Sequence, residues 1–328
     1  MIITRTPYRI PLAGGGTDLD FYYKKRGGLF ISATFNQFVF AILLRRQIDD
    51  KVLIQTTDTQ FARSTNQVKH GIIREILKFF KIKNKIQVGT FATLPTSSGL
   101  GSSSSLIVGI IFGLSKMLRI KLSKKKIAKI AIFIERKKLK FQGGWQDQII
   151  SSYGGINKIK ISKKGQFTVQ KINIKKKILN KLERKLILVF TNETRDSSRI
   201  IANQKLDQKK TIRIYDEIKS YVRITEIALK RGDYKKIGEI FHEHWKIKKK
   251  LSKYISNSRL DRIYLNLLKE KSFIGGKLIG AGGGGFYLMV TEDINSSIKY
   301  LKARKINFTR LKFVEHGPNK IREGAWRR

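Results

Sequence analysis

Apolar and polar positions change their period several times along this chain of 328 residues. In residues 1 to 60 they alternate in short runs, Ile2 to Arg5, Phe38 to Leu44 and Lys51 to Gln55, as half-buried strands do. Ile72, Ile73, Ile76, Leu77 and Phe80 fall on one helical face. A strand is expected over Ile86 to Leu94 and a helix over Leu106 to Leu118, with a glycine- and serine-rich segment between them. Ser123 suits the N-cap of a helix running to about Lys138. Strands follow at Ile156 to Ile161, Gln166 to Ile174 and Leu186 to Phe190. Three long helical patterns lie near 209 to 231, 233 to 252 and 258 to 270. Lys277 to Val290 reads as strand, glycine turn, strand, followed by a helix near Ser296 to Arg304 and a strand over Phe308 to Val314. Strands and helices mix without βαβ alternation, which predicts an α+β protein. The Lys175 to Lys177 run suggests a boundary near residue 180, hence domains over 1–180 and 181–328.

Composition narrows the class. Hydrophobic residues make up 41%, enough for real cores, and no uninterrupted apolar run is long enough to cross a bilayer. The N-terminus lacks the basic-then-apolar layout of a signal peptide. With no cysteine, disulfides and thiolate metal sites are excluded. A cytoplasmic enzyme is expected. The net charge of +45 raises the alternative of a nucleic-acid-binding protein. The lysines, however, are spread over the whole chain and accompany heavy use of isoleucine, so a solvated basic surface is the simpler reading.

Two clusters carry the candidate chemistry. Pro95-Thr-Ser-Ser-Gly-Leu-Gly-Ser-Ser-Ser-Ser105 sits between a strand and a helix. Glycines there bring backbone amides close to an anion, and the helix start adds unpaired N–H groups and a positive dipole end. That is chemistry for holding a polyphosphate. Gly280-Ala-Gly-Gly-Gly-Gly285 formally matches G-x-G-x-x-G, but a strand rather than a helix follows it, so a dinucleotide fold is rejected. Four consecutive glycines exceed what a turn requires and suggest close approach to a ligand. No Walker A loop and no protein-kinase motif set is present.

Arg9 and Asp18 flank the glycine turn Gly14 to Gly16, where a strand would end in a cleft. Acidic residues number 24 against 69 basic ones, so Glu135 and Asp147 stand out. Two separated carboxylates meet the needs of phosphoryl transfer, one for a metal ion and one to orient the attacking hydroxyl. The plain alternatives are a surface ion pair for Glu135, a helix cap for Asp147 and a turn residue for Asp18. His242 and His244 lie two apart on a helix and diverge, and His70 and His316 are isolated, so none is read as a metal ligand.

Taken together, the glycine motifs resemble the GHMP kinase superfamily, in order and spacing from Arg5 to Phe286. Within it, Arg9-Ile-Pro-Leu-Ala-Gly-Gly-Gly-Thr-Asp18, Gln146-Asp-Gln148 before Tyr153-Gly-Gly155, Phe190-Thr-Asn-Glu-Thr-Arg195 and His242-Glu-His-Trp-Lys246 resemble D-glycero-D-manno-heptose 7-phosphate kinases. The resemblance implies an N-terminal domain like domain 2 of ribosomal protein S5, a ferredoxin-like C-terminal domain, and ATP between them. It implies that Pro95, Ser97, Ser98, Gly99, Leu100, Gly101, Ser102, Ser103 and Ser104 bind ATP, with the amides of Ser98 to Ser103 around the phosphates. Ser103 and Glu135 would hold Mg²⁺. Asp147 would act as base or orient the hydroxyl, and Arg9 would lie near the transferred phosphoryl. Gly15, Gly16, Thr17, Asp18, Gly282, Gly283 and Gly284 would meet the sugar. Arg195 and Arg26 are the candidates for a distal phosphate on that sugar. The implied reaction is ATP-dependent phosphorylation of C1 of a heptose 7-phosphate, with a kinase for an unphosphorylated sugar such as fucose as the alternative. Phe141-Gln-Gly-Gly-Trp departs from the pattern expected before Gln-Asp-Gln.

Overall fold

The computed structural model describes residues 1–95, 99–193, 197–203 and 207–321. The first half contains β1 (Ile2–Ala13), α1 (Asp20–Arg26), β2 (Gly28–Arg45), β3 (Val52–Gln55), β4 (Thr59–Ala62), α2 (Gly71–Phe79), β5 (Ile86–Ala92) and α3 (Ser102–Met117). It continues with α4 (Lys124–Ile132), a π-helical stretch Phe133–Lys138, α5 (Gln146–Tyr153), β6 (Ile156–Ile161) and β7 (Phe167–Lys171). The second half holds α6 (Lys176–Glu183), β8 (Leu186–Phe190), α7 (Ser197–Asn203), α8 (Gln208–Arg231), α9 (Tyr234–Lys249) and α10 (Ser258–Lys269). It ends with β9 (Phe273–Leu278), β10 (Phe286–Thr291), α11 (Ile294–Ala303), β11 (Phe308–Arg310) and β12 (Asn319–Lys320).

Two sheets organise these elements. The larger runs β12-β1-β2-β5-β3-β4, with β6 and β7 branching from β2. Strand β2 pairs with β6 through Gly28 to Ala33 and with β5 through Val39 to Arg45, so one long strand serves two partners. The smaller sheet is antiparallel, β11-β8-β10-β9. The chain passes from one sheet to the other between Lys171 and Leu186, and it returns to the first through a bridge of Phe313 to Phe35 of β2 and through β12.

Strand β1 is longer than its alternation predicts. Every residue from Tyr8 to Ala13 is buried, because α3, α5 and α8 pack on β1 and β2 and cover both sets of side chains. Alternation therefore vanishes where burial is two-sided. Pro7 and Pro11 lie inside this strand, and register shifts at Pro7/Tyr8 and Pro11/Ala13 accommodate them. One apolar cluster contains Ile10 and Leu12 of β1, Val222 of α8 and Leu188 and Leu288 of the second sheet. Each such side chain contributes about 1.5–3 kcal/mol when fully buried, and the shared cluster ties the two halves into one body.

Helix α3 begins four residues earlier than periodicity predicts. Gly101 caps it in the left-handed region (φ 81°), and the serines from 102 to 105 form its first turn. The period of apolar residues marks only the part that packs on the sheet, so a polar first turn escapes it. The Ser123 cap is present, its side chain accepting from Lys126 N–H. The helix it starts changes to π geometry at Phe133 and places Glu135 in that wider turn, a distortion frequent at functional sites.

Candidate active site

A cavity of about 830 Å³ lies between the halves. The first half lines it with Arg9, Gly15, Gly16, Asp18, Gly99, Gly101 to Ser104, Glu135, Arg136 and Phe141 to Asp147, Trp145 excepted. The second half contributes Ile201, Tyr215, His244, Lys248, Leu251, Lys277, Gly280 and Ala281, among others.

Arg9 is the hub. Its Nε and Nη2 donate to the two carboxylate oxygens of Asp147, both at 2.6 Å, and its Nη1 donates to the Gly99 carbonyl at 2.7 Å. Its backbone N–H meets the Leu100 carbonyl at 3.3 Å. One buried guanidinium therefore fixes a carboxylate at the start of α5 and the glycine loop ahead of α3 in a single frame. The bidentate fork also sets the plane of the Asp147 carboxylate. A Cβ at Gly101 would stand 3.1 Å from Asp147 Oδ2 and 3.4 Å from Arg9 Cγ, so a side chain would crowd this frame.

Glu135 is buried beside the first turn of α3. Its Oε2 accepts from Ser104 Oγ at 2.6 Å and from Gln148 Nε2 in a very short contact. Ser103 Oγ is buried and lacks a hydrogen-bond partner among the described residues. Asp18 accepts from Gln146 N–H at 2.8 Å. Burial pushes the Asp18 carboxyl up from its ordinary range; the Gln146 bond opposes this, and the nearby Asp147 charge adds to it. Burial, then the charge of Asp18, likewise raises Tyr215.

The segment before Asp147 is held by Arg136, which donates to the carbonyls of Gly144 (2.9 Å), Phe141 (3.1 Å) and Gln142 (3.2 Å). A Cβ at Gly144 would fall 1.9 Å from Asp18 Oδ2. Glycine is thus required there for Asp18 to reach the Gln146 amide.

Residues 66–155 match the GHMP kinases N-terminal domain and residues 225–302 the GHMP kinases C-terminal domain. The D-glycero-alpha-D-manno-heptose 7-phosphate kinase of Campylobacter jejuni is 34% identical, over 96% of this chain and 97% of that protein. This chain belongs to the GHMP kinases. The bifunctional fucokinase/GDP-fucose pyrophosphorylase of Arabidopsis thaliana is 30% identical over 78% of this chain and 23% of its own length. The crystal structure of a D-glycero-D-manno-heptose 1-phosphate kinase from Bacteroides thetaiotaomicron superposes with a TM-score of 0.83 at 23% identity, covering 98% of this chain and 99% of that one. The likeness extends to the fold: the enzyme has the family's two-domain α+β architecture and is a phosphotransferase.

Within this GHMP kinase the residues singled out from sequence distribute unevenly. Arg9, Gly15, Gly16, Asp18, Gly99, Gly101, Ser102, Ser103, Ser104, Glu135 and Asp147 all converge on the cavity. Ser97, Ser98 and Arg195 lie outside the described residues. Pro95 is exposed, and the Leu100 side chain is buried in the apolar cluster, where it anchors the loop. Thr17 is turned inward, its hydroxyl donating to Gly14 and Leu29 carbonyls, so it shapes the turn rather than facing the cavity. Arg26 is on the surface, 3.6 Å from Asp216, and does not line the cavity.

The glycine run near the C-terminus differs most from expectation. Gly280 and Ala281 line the cavity, but Gly282 and Gly284 approach protein backbone instead. A Cβ at Gly282 (φ 120°) would stand 2.9 Å from Ile255 Cα, and one at Gly284 (φ 137°) 2.7 Å from the Glu193 carbonyl. Gly283 N–H donates to Ile255 O and Gly285 N–H to Glu193 O. Close approach is what these glycines supply, and in this structure what they approach is protein backbone.

Sequence reasoning missed Arg136, Gly144, Tyr215, Lys248 and Lys277 as parts of the cavity. Lys277 opens the second glycine cluster, and His244 sits in the quoted His-Glu-His-Trp segment. Those positions were the available signals.

Proposed function

We infer that this kinase transfers the γ-phosphoryl group of ATP to the anomeric C1 hydroxyl of D-glycero-D-manno-heptose 7-phosphate, giving the 1,7-bisphosphate. The observation that carries the reading is the Arg9 bridge. It holds Asp147, able to receive a hydroxyl proton, in fixed relation to the loop at Gly99 that starts the phosphate-binding helix. Phosphoryl transfer has a loose transition state, so such positioning and charge stabilisation supply most of the rate.

In this mechanism Asp147 accepts a hydrogen bond from the sugar C1 hydroxyl and takes its proton at a carboxylate oxygen as the hydroxyl attacks. Arg9 keeps that carboxylate oriented and adds positive charge beside the transferred group. The N–H groups at the start of α3 take the phosphates, aided by the helix dipole. Asp18 accepts from sugar hydroxyls, and Gln146 Nε2, buried and without a partner among the described residues, supplies a further donor. Mg²⁺ fits the orphaned Ser103 hydroxyl and the Glu135 carboxylate: both are hard oxygen donors, and two protein ligands leave room for phosphate oxygens and water. Bound there, the ion would neutralise charge on the triphosphate.

The 34% identity to the Campylobacter heptose 7-phosphate kinase supports the choice of sugar. The relation to a fucokinase keeps an unphosphorylated sugar as the second reading. ADP release is to be measured with Mg²⁺ and heptose 7-phosphate, unphosphorylated heptose, fucose or no sugar. Turnover with heptose 7-phosphate alone is expected. Faster turnover with a neutral sugar would overturn the substrate, and no turnover with any would overturn the assignment to these sugars.

A further inference from the structure

The reaction as derived leaves three basic side chains of the cavity without a task. His244 and Lys248 are four residues apart on α9 and so share one helical face. Lys277 reaches the same corner from β9, and all three line the cavity.

Lys277 is 1% exposed. Its ammonium donates to the Leu12 carbonyl at 2.7 Å, lies 3.2 Å from His244 Nδ1, and sits 4.3 Å from the centre of the Phe241 ring. An ammonium has three protons to donate, so these two polar contacts leave one. Among the described residues no carboxylate forms an ion pair with Lys277 or His244, and none offsets their burial. Lys248 donates to the carbonyls of Leu278 (3.1 Å) and Gly280 (2.6 Å), which pins the start of the glycine run to the same corner.

Burial and then the Lys248 charge hold Lys277 well below the ordinary lysine range. Burial, Lys277 and Lys248 do the same to His244. Burial disfavours the charged forms of His244 and Lys277, and an anion entering the cavity beside them would favour those forms and offset that cost. Among the described residues the cavity carboxylates Asp18, Glu135 and Asp147 all belong to the first half, whereas this corner belongs to the second. The cavity is therefore polarised, with the phosphoryl-transfer frame on one wall and a basic corner on the other.

We propose that His244, Lys248 and Lys277 form a subsite for a second anionic group, a phosphate monoester carried by the sugar away from its reacting hydroxyl. The proposal rests on the sugar-phosphate reading above and assigns the distal phosphate to residues other than the sequence candidates Arg26 and Arg195.

The test uses the full-length enzyme saturated with Mg²⁺ and a non-hydrolysable ATP analogue, so that the nucleotide's own phosphate site is filled. Inorganic phosphate is then titrated by calorimetry. Binding is expected, weakened about ten- to one-hundred-fold in Lys277→Met, the range for losing a charged hydrogen bond. Lys248→Gln, which can still donate to a carbonyl, guards against misfolding of the buried variant and is expected to weaken phosphate in the same direction. In parallel, the ratio of kcat/KM for phosphorylated over unphosphorylated heptose should fall about ten-fold or more in either variant. Absent phosphate binding by the wild type, or unchanged affinity in a folded Lys248→Gln, overturns the subsite. If the wild type binds phosphate in this lysine-dependent way yet turns over neutral sugars faster, the subsite stands and the substrate reading falls.

Discussion

Replacing Asp147 with asparagine separates its chemical role from its structural one. The side chains of Arg9 and Asp147 are only 7% and 22% exposed, and two bonds of 2.6 Å join them. Asparagine keeps one acceptor oxygen and turns an N–H₂ toward a guanidinium N–H, so one charge-assisted bond is lost, about 1.5–3 kcal/mol. The loss stays below the roughly 3–5 kcal/mol of a fully broken buried pair, because Arg9 retains the Gly99 carbonyl. At roughly 2–4 °C per kcal/mol for domains of about 150–250 residues, Tm should fall by about 3–12 °C. Turnover should fall further, by about two to four decades, because the hydroxyl loses its proton acceptor. Nucleotide affinity should hardly change, since Arg9 still anchors the loop at Gly99. Three measurements on Asp147→Asn check this: ADP release with saturating substrates, binding of an ATP analogue, and thermal unfolding. Near-wild-type turnover refutes the proton-accepting role. A loss of nucleotide affinity as large as the loss of turnover refutes the separation, and would mean that Asp147 acts by holding the loop.

The remaining carboxylates give further predictions. Glu135→Gln should raise the Mg²⁺ concentration for half-maximal activity by about ten-fold or more, as one charged oxygen donor is lost; an unchanged Mg²⁺ titration would remove Glu135 from the metal site. Asp18→Asn should weaken sugar binding while raising Tm at neutral pH. The sign follows from a folded-state pKa raised above the ordinary 3.8: the native protein binds this proton more tightly than the unfolded chain, so stability is lost as pH rises through the folded value. The asparagine lacks that loss, so its advantage in thermal unfolding should be present at neutral pH and vanish as pH falls toward 3.8. A pH-independent difference would contradict the buried-charge account.

The sequence by itself determined the elements whose periodicity is one-sided and the residues whose chemistry is scarce. Strands β6 and β8 lie where alternation and apolar runs put them, and the three long helices of the second half differ from expectation by only a few residues. That Arg9, Asp18, Glu135 and Asp147 meet at one cavity was legible because acids are few among many lysines, because a glycine turn lies between Arg9 and Asp18, and because the glycine motifs resemble a known family. These are local signals, and local physics suffices to read them. Tertiary structure alone decided what each residue faces. Ser104 rather than Ser103 meets Glu135, because the serines belong to a helical turn whose rotation is fixed by packing α3 on β1 and β2. Gly282 and Gly284 approach Ile255 and Glu193, which no spacing of glycines could reveal. Arg9 and Asp147 are separated by 138 positions and meet in a fork. His244 and Lys277 join a corner of the cavity from a helix and a strand. Pairings of that length depend on the closure of a core shared by two sheets, and this closure is not encoded in any single window of the chain.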